Sequence, residues 1–324
     1  MSRKSLFLLS LAAVIAIIAY RLSGWDFDWA LFFSSLWDLQ PGWLSASIAV
    51  TLLTYVIRAF RWQVLLHPLK PIRMGPLIST TLVGFSAIYV LGRAGELIRP
   101  LWLTRREQIP LTASVATVVV ERFLDTMMLI VLFGWALFLV KLPAAADETV
   151  TLMKETAWVM IGTSTAALVF LFFFRSNIER IIRLVPFKRI ASLLKNFSEG
   201  LQFLQEGRSL GLALAHSFAL WVLIALQFWF LLLGMKFEFS MPSATLVMVG
   251  AAIGSIAQVP GIGGGFQAGY AFCMTTFFDV PAEQAIATSL LAWVVSCAPT
   301  IAVASVYMIS HGLSLKDLRA ATVE

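Results

Sequence analysis

The sequence predicts an all-α polytopic membrane protein, with six crossing helices plus two re-entrant, broken hairpins in an inverted-topology repeat. Three observations carry this. Hydrophobic residues make up 59% of the 324 and charged residues 13%, with a mean hydropathy of +0.86, outside the range of soluble domains. The apolar runs are continuous rather than alternating, and a helix needs roughly 20 such residues to cross about 30 Å of hydrocarbon. Helices rather than a barrel therefore satisfy the backbone in lipid. Two of these runs are broken by polar, glycine-containing stretches, one in each half. They are Gly92-Arg93-Ala94-Gly95-Glu96-Leu97-Ile98-Arg99-Pro100 and Pro260-Gly261-Ile262-Gly263-Gly264-Gly265-Phe266-Gln267. Interruptions in corresponding places of two halves point to a transporter-like site near mid-membrane.

Ser5–Tyr20 resembles a signal peptide, but no small-residue cleavage site follows and Arg21 ends it, so it is a retained first span. Trp25 to Trp43 mixes tryptophans with Asp26, Asp28 and Asp38 and holds no Lys or Arg, an interfacial, non-cytoplasmic pattern. Leu44–Trp62 crosses and exits among Arg58, Arg61, Lys70 and Arg73, a cytoplasmic signature. Pro76–Leu91 enters from that side as a short arm, breaks at the first glycine stretch, and Leu97–Leu103 returns to Arg105 and Arg106. Leu111–Val140 crosses outward and Ala157–Phe174 crosses back. Residues 175–208 interleave basic and apolar side chains, the mark of an amphipathic helix, or two, on the inner leaflet. Gly211–Leu233 crosses outward. Ser243–Gln258 and Phe266–Phe278 make the second hairpin, capped outside by Asp279 and Glu283. Ala285–Ile309 crosses inward, so both termini are cytoplasmic.

The chain is thus one transmembrane domain, 1–324, with repeats at 1–141 and 155–310. Gly92 and Gly263, Pro110 and Pro281, Ala116 and Ala287, and Thr117 and Thr288 are all 171 positions apart. The same offset places Glu96 opposite Gln267.

The net charge of +6 sits in short loops and reports topology, not a nucleic-acid partner. Cys273 and Cys297 lie in apolar sequence and are expected to pack rather than pair. His67, His216 and His311 lack metal spacing, and no Ser-His-Asp set is visible. Asp26-Phe27-Asp28 matches a bare metal-binding Asp-x-Asp, but without partner acids it reads as a turn. No cofactor or metal is expected, and transport is favoured over catalysis. The alternative is a membrane enzyme, or an accessory subunit, of lipid or glycan transfer.

An ionisable side chain at a helix centre costs roughly 2.5–3.5 kcal/mol on insertion scales. Arg93, Glu96, Arg99, Glu121, Arg122 and Asp125 should therefore face protein. The simplest pairing sets Arg93 and Arg99 against Glu121 or Asp125, and Arg122 against Glu96. These charges could pin the first hairpin, hold an anionic headgroup, since guanidinium matches phosphate, or couple protons through Glu96 or Glu121. Arg58 and Arg61 either snorkel to the interface or join the site. In the second half, Gln258 and Gln267 flank Pro260, Gly261, Gly263 and Gly264. Those glycines either expose amides as an anion nest or allow close helix packing.

Arg58-Ala59-Phe60-Arg61-Trp62, Gly92-Arg93-Ala94-Gly95-Glu96 with Arg99, Glu121-Arg122 with Asp125, and Pro260-Gly261-Ile262-Gly263-Gly264, in this order, resemble the flippase-like membrane family. That family is related to the transmembrane flippase domain of lysylphosphatidylglycerol synthases. The resemblance implies an integral protein of the bacterial inner membrane that flips an anionic phospholipid or lipid-linked precursor between leaflets. A lipid- or glycan-modifying enzyme is a further implied partner. Family members often continue the second hairpin with Gly-Phe/Val-Glu, where this chain has Phe266-Gln267. They often carry an arginine near the position of Trp293.

Overall fold

The computed structural model describes residues 27–142, 147–259, 261 and 263–310. The side chains of Arg93, Ala94, Gln258 and several residues between 147 and 160 are not described. The expected first span Ser5–Tyr20, and Pro260, lie outside the described residues.

The described chain is helical almost throughout. It begins with α1 (Trp29–Trp37), α2 (Pro41–Leu66) and α3 (Met74–Leu91). A 3₁₀ turn over Gly92–Leu97 leads to α4 (Ile98–Glu107), then α5 (Leu111–Leu139), α6 (Asp147–Ser176), α7 (Ile178–Arg183) and α8 (Lys188–Glu199). After α9 (Gly207–Gly234) come α10 (Met241–Gly254), a 3₁₀ turn at Ser255–Ala257 and a two-residue β pairing of Gln258–Val259 with Gly263–Gly264. Then follow α11 (Gly265–Phe278) and α12 (Ala282–Ser310). Four described helices, α2, α3, α9 and α12, are long and apolar enough to cross a membrane. The 18-residue α3 is among them, whereas the sequence suggests only a short arm: its helix starts at Met74, two residues before Pro76. It still ends at the break in the middle of the bundle.

α2 and α9 run antiparallel. Gln40 N–H donates to the Gly234 carbonyl at 2.8 Å, and the Ser47 hydroxyl to the Gln227 carbonyl at 2.9 Å. Arg61, further along α2, donates to Ser217 at 3.1 Å. This pair defines two ends of the bundle. At the Leu66 end, Lys70 pairs with Glu107 at 3.0 Å and Arg106 donates to the Tyr307 hydroxyl at 3.1 Å. The mouth of the α3–α4 hairpin lies there. At the Gln40 end, Lys236 pairs with Asp38, and Phe239 packs on Phe278 with ring centroids 4.5 Å apart. The mouth of the α10–α11 hairpin therefore lies at the opposite end. The two tips meet in between, where Gly261 N–H donates to the Tyr89 carbonyl at 3.1 Å.

Each hairpin closes on small residues. Gly250 and Gly254 of α10 face Gly265 and Gly269 of α11, and a Cβ at Gly254 or Gly269 would overlap backbone of the other arm. Glycines four apart let helix backbones approach this way. In the first hairpin, Gly84 does the same for Arg99, and Gly95 for the backbone of Ala87 and Ile88. Both return arms end on a left-handed residue, Gln108 (φ 55°) and Asp279 (φ 53°). Two residues later, the carbonyls of Pro110 and Pro281 accept from Ser114 and Ala285 N–H at 3.1 and 2.9 Å. The hydroxyls of Thr117 and Thr288 then bond the Ser114 and Ala285 carbonyls. All these counterparts are 171 positions apart.

Buried apolar side chains form two main clusters. One, around Leu231, Met248, Tyr270 and Phe277, lies toward the Gln40 end. The other, around Trp62, Leu66, Leu103 and Phe203, lies toward the Leu66 end. Asp28 begins α1 as its N-cap, accepting from Leu31 N–H at 3.0 Å, a role that needs no metal. Cys273 and Cys297 are buried free thiols.

Candidate functional site

Charges collect where α2, α4 and α5 converge. On α5, Glu121 and Asp125 stand one turn apart and share a face. Arg99 of α4 grips Glu121 with two bonds, at 2.5 and 3.0 Å. Arg61 of α2 donates to Asp125 at 2.6 Å, and its Nε lies 3.6 Å from Glu121. The Trp221 indole adds a bond to Asp125 at 3.1 Å. The Arg99 guanidinium lies 3.8 Å from the centroid of the Trp62 ring, a stacking that suits Arg more than Lys. Arg61 and Glu121 are wholly buried. Two arginines thus neutralise two carboxylates in a dry environment, where loss of either sign would strand its partner.

Beside this cluster lies a cavity of about 200 Å³ in the middle of the bundle. Its charged lining is Arg58, Glu96 and Arg122, and its hydroxyls include Thr51, Thr54, Tyr55 and Tyr89. Aromatic walls come from Phe85, Trp221, Phe228, Phe266 and Trp293. Both hairpins contribute, through Tyr89 and Glu96 on one side and Ser255 and Phe266 on the other. Arg122 pairs with Asp125 at 3.2 Å along its own helix, and its side chain is 37% exposed. Arg58 lies over Phe85, 4.5 Å from the ring centroid. Its Nε is buried without a hydrogen-bond partner, as are those of Arg61, Arg99 and Arg122. It differs from those three in making no ion pair among the described residues. Among the described side chains of this region, the four arginines Arg58, Arg61, Arg99 and Arg122 outnumber the three carboxylates Glu96, Glu121 and Asp125 by one. Such a cavity can take an anion at Arg58 and an apolar moiety against the rings.

The expected site residues thus divide into groups. Arg58, Glu96 and Arg122 line the cavity. Arg61, Arg99, Glu121 and Asp125 form the ion cluster behind it. Arg61 does not snorkel, because the α5 carboxylates hold it inside. Arg122 is paired with Asp125, where the simplest pairing from sequence sets it against Glu96. Gly263 abuts Gln267 and Trp293, since a Cβ there would meet the Gln267 amide and the indole nitrogen. Gly261 gives its amide to the Tyr89 carbonyl, and Gly263 pairs with Val259. Gly264 (φ 66°) turns the chain into α11. The side chains of Arg93 and Gln258, and Pro260, lie outside the described residues. Thr51, Thr54, Tyr55, Gln227 and Ser296 are lining residues that look like ordinary span in sequence. Gln227, an amide inside an apolar run, is the one visible signal; it bonds Ser296 across the bundle at 2.9 Å.

No curated protein and no solved structure matches the chain. The family model for the lysylphosphatidylglycerol synthase transmembrane region matches residues 7–304. Apolar helices, a polar middle and this match over nearly the whole sequence agree: the chain is an integral membrane protein of the lysylphosphatidylglycerol synthase transmembrane-region family, whose function concerns membrane lipid.

Proposed function

We propose that the protein translocates an anionic phospholipid or lipid-linked precursor between the leaflets of a bacterial inner membrane. The observation that carries this is Arg58, a cation without a carboxylate partner among the described residues, facing a cavity where two hairpin tips meet. A transport site at the bilayer midplane between two repeats has this form. Hairpin mouths at opposite ends, and local geometry recurring at one offset, support an inverted repeat of 1–141 and 155–310 with six crossings. In this proposal Arg58 and Arg122 hold the headgroup phosphate. Glu96 lies beside them and sets the charge balance. Arg61, Arg99, Glu121 and Asp125 fix the wall that carries them, and Gln267 with Gly261, Gly263 and Gly264 shapes the opposite wall. Arg93, Gln258 and Pro260 belong to the same two tips. Rocking of the repeats would expose the cavity to each leaflet in turn, while hydrocarbon stays in lipid.

The test is transfer of fluorescent phosphatidylglycerol in reconstituted vesicles, followed by loss of outer-leaflet signal to an impermeant quencher. Wild type is expected to transfer lipid faster than empty vesicles. Arg58→Gln should slow transfer roughly 10- to 100-fold, the worth of a hydrogen bond to a charged group. Wild-type vesicles indistinguishable from empty ones, with and without ion gradients, would reject the proposal.

A further inference from the structure

The cavity lining is graded in exposure. Thr51, Thr54, Phe228 and Met248 are almost wholly covered. The partly exposed lining includes Ile88, Tyr89 and Glu96 at the first tip and Ala252 and Ser255 at the second. Next to these in sequence stand apolar side chains that point outward. Val90, Leu91 and Leu97 belong to the first tip, and Ile253, Ile256 and Val259 to the second. Leu97 is 55% exposed and Ile256 65%. Each tip therefore presents polar or cavity-facing groups and exposed hydrocarbon within one or two residues.

The backbone at this place is also unusual. The exposed residues Val259 and Gly261, just past the 3₁₀ turn, are not helical. Irregular backbone at membrane depth is tolerated against protein or a wet cavity, not against bare acyl chains. Exposed apolar side chains ask for hydrocarbon at the same spot. An amphiphile caught at the junction of headgroup and tails satisfies both demands.

We infer that the gap flanked by the two hairpin tips is a lateral portal that seats the hydrocarbon tails of the lipid whose headgroup occupies the cavity. This rests on the translocation proposal and adds the path of the tails. Leu97 and Ile256 mark its two sides, and the Gly261–Tyr89 bond holds the tips together at its edge. The ligand class is a double-chain or prenyl lipid with an anionic headgroup.

The experiment is photo-crosslinking in phosphatidylcholine bilayers containing a minor fraction of phosphatidylglycerol. A benzophenone amino acid replaces Leu97 or Ile256, with Phe138 and Val306 as controls. Both controls are exposed, at 89% and 68%. The tip positions should capture phosphatidylglycerol several-fold above its share of the bilayer, and the controls in proportion to it. Arg58→Gln should return the tips to the bulk ratio. The enrichment with Arg58 intact needs no second variant, so it stands even if Arg58→Gln misfolds. Capture at the bulk ratio at both tip positions would overturn the portal. If that happened while the same preparations moved fluorescent lipid, the portal alone would be lost. Tip enrichment without lipid movement would keep the seat and remove translocation.

Discussion

Arg58 and Arg61 show how far three residues can separate two identical side chains. They sit on the same helix, yet Arg61 turns to Asp125 and Glu121 while Arg58 turns to a phenylalanine ring and empty space. Truncating one member of a buried pair costs about 3–5 kcal/mol, because its partner stays buried and charged. Arg61→Gln and Glu121→Gln should therefore lower thermal stability in detergent sharply, and folded yield with it. Arg58→Gln should leave the melting temperature near wild type while transfer falls. Equal melting losses for Arg58→Gln and Arg61→Gln would make Arg58 part of the scaffold. The sequence could not make this distinction. Both arginines lie near a basic helix end and look like snorkelling cations, and the carboxylates that claim Arg61 are 60 and 64 positions away.

The hairpins were more legible, because their signal is local. Clustered glycine and proline inside apolar runs weaken helices locally. The first break falls at Gly92–Leu97, inside the expected stretch, whereas α10 already stops at Gly254, ahead of the expected break at Pro260. What stays hidden in sequence is which glycines touch. Gly254 and Gly265 face each other so closely that a Cβ on either would strike the other's carbonyl. Gly134 has open space around its α carbon. Overpacking costs about 1–3 kcal/mol when neighbours can shift; here the obstacle is backbone, so Gly254→Val should reach or exceed that range. Gly134→Ala should be neutral or slightly stabilising, since Ala is the better helix former. Thermal unfolding of the two variants checks this, and a wild-type melting point for Gly254→Val would mean that the arms do not pack so tightly. The cavity wall was illegible for the same tertiary reason: Thr51 and Thr54 come from α2 and Ser296 from α12, and only the fold brings the two helices together.

At the scale of the molecule, charge is distributed unevenly between the ends. The Leu66 end carries Lys70, Arg73, Arg105 and Arg106, and the basic segment through α7 and α8 continues from it, since Gly200 packs on Ala113 and Ala116 at the start of α5. The Gln40 end carries Asp28, Asp38, Glu238, Asp279 and Glu283 against Lys141 and Lys236. Short basic loops stay on the cytoplasmic side of a membrane, so the first hairpin should open to the cytoplasm and the second to the outside. Lys195 and Glu238 are exposed residues of the two ends, and Cys273 and Cys297 are buried, so engineered thiols can be labelled against a quiet background. In intact cells an impermeant maleimide should modify Glu238→Cys and spare Lys195→Cys until the membrane is opened. Both thiols reacting from outside would place the two mouths on one side, and an inverted repeat could not then shuttle its central cavity between leaflets. The reverse pattern would keep the mechanism but turn the molecule over, and the excess of cations at the Leu66 end would then have to be explained by binding rather than by insertion.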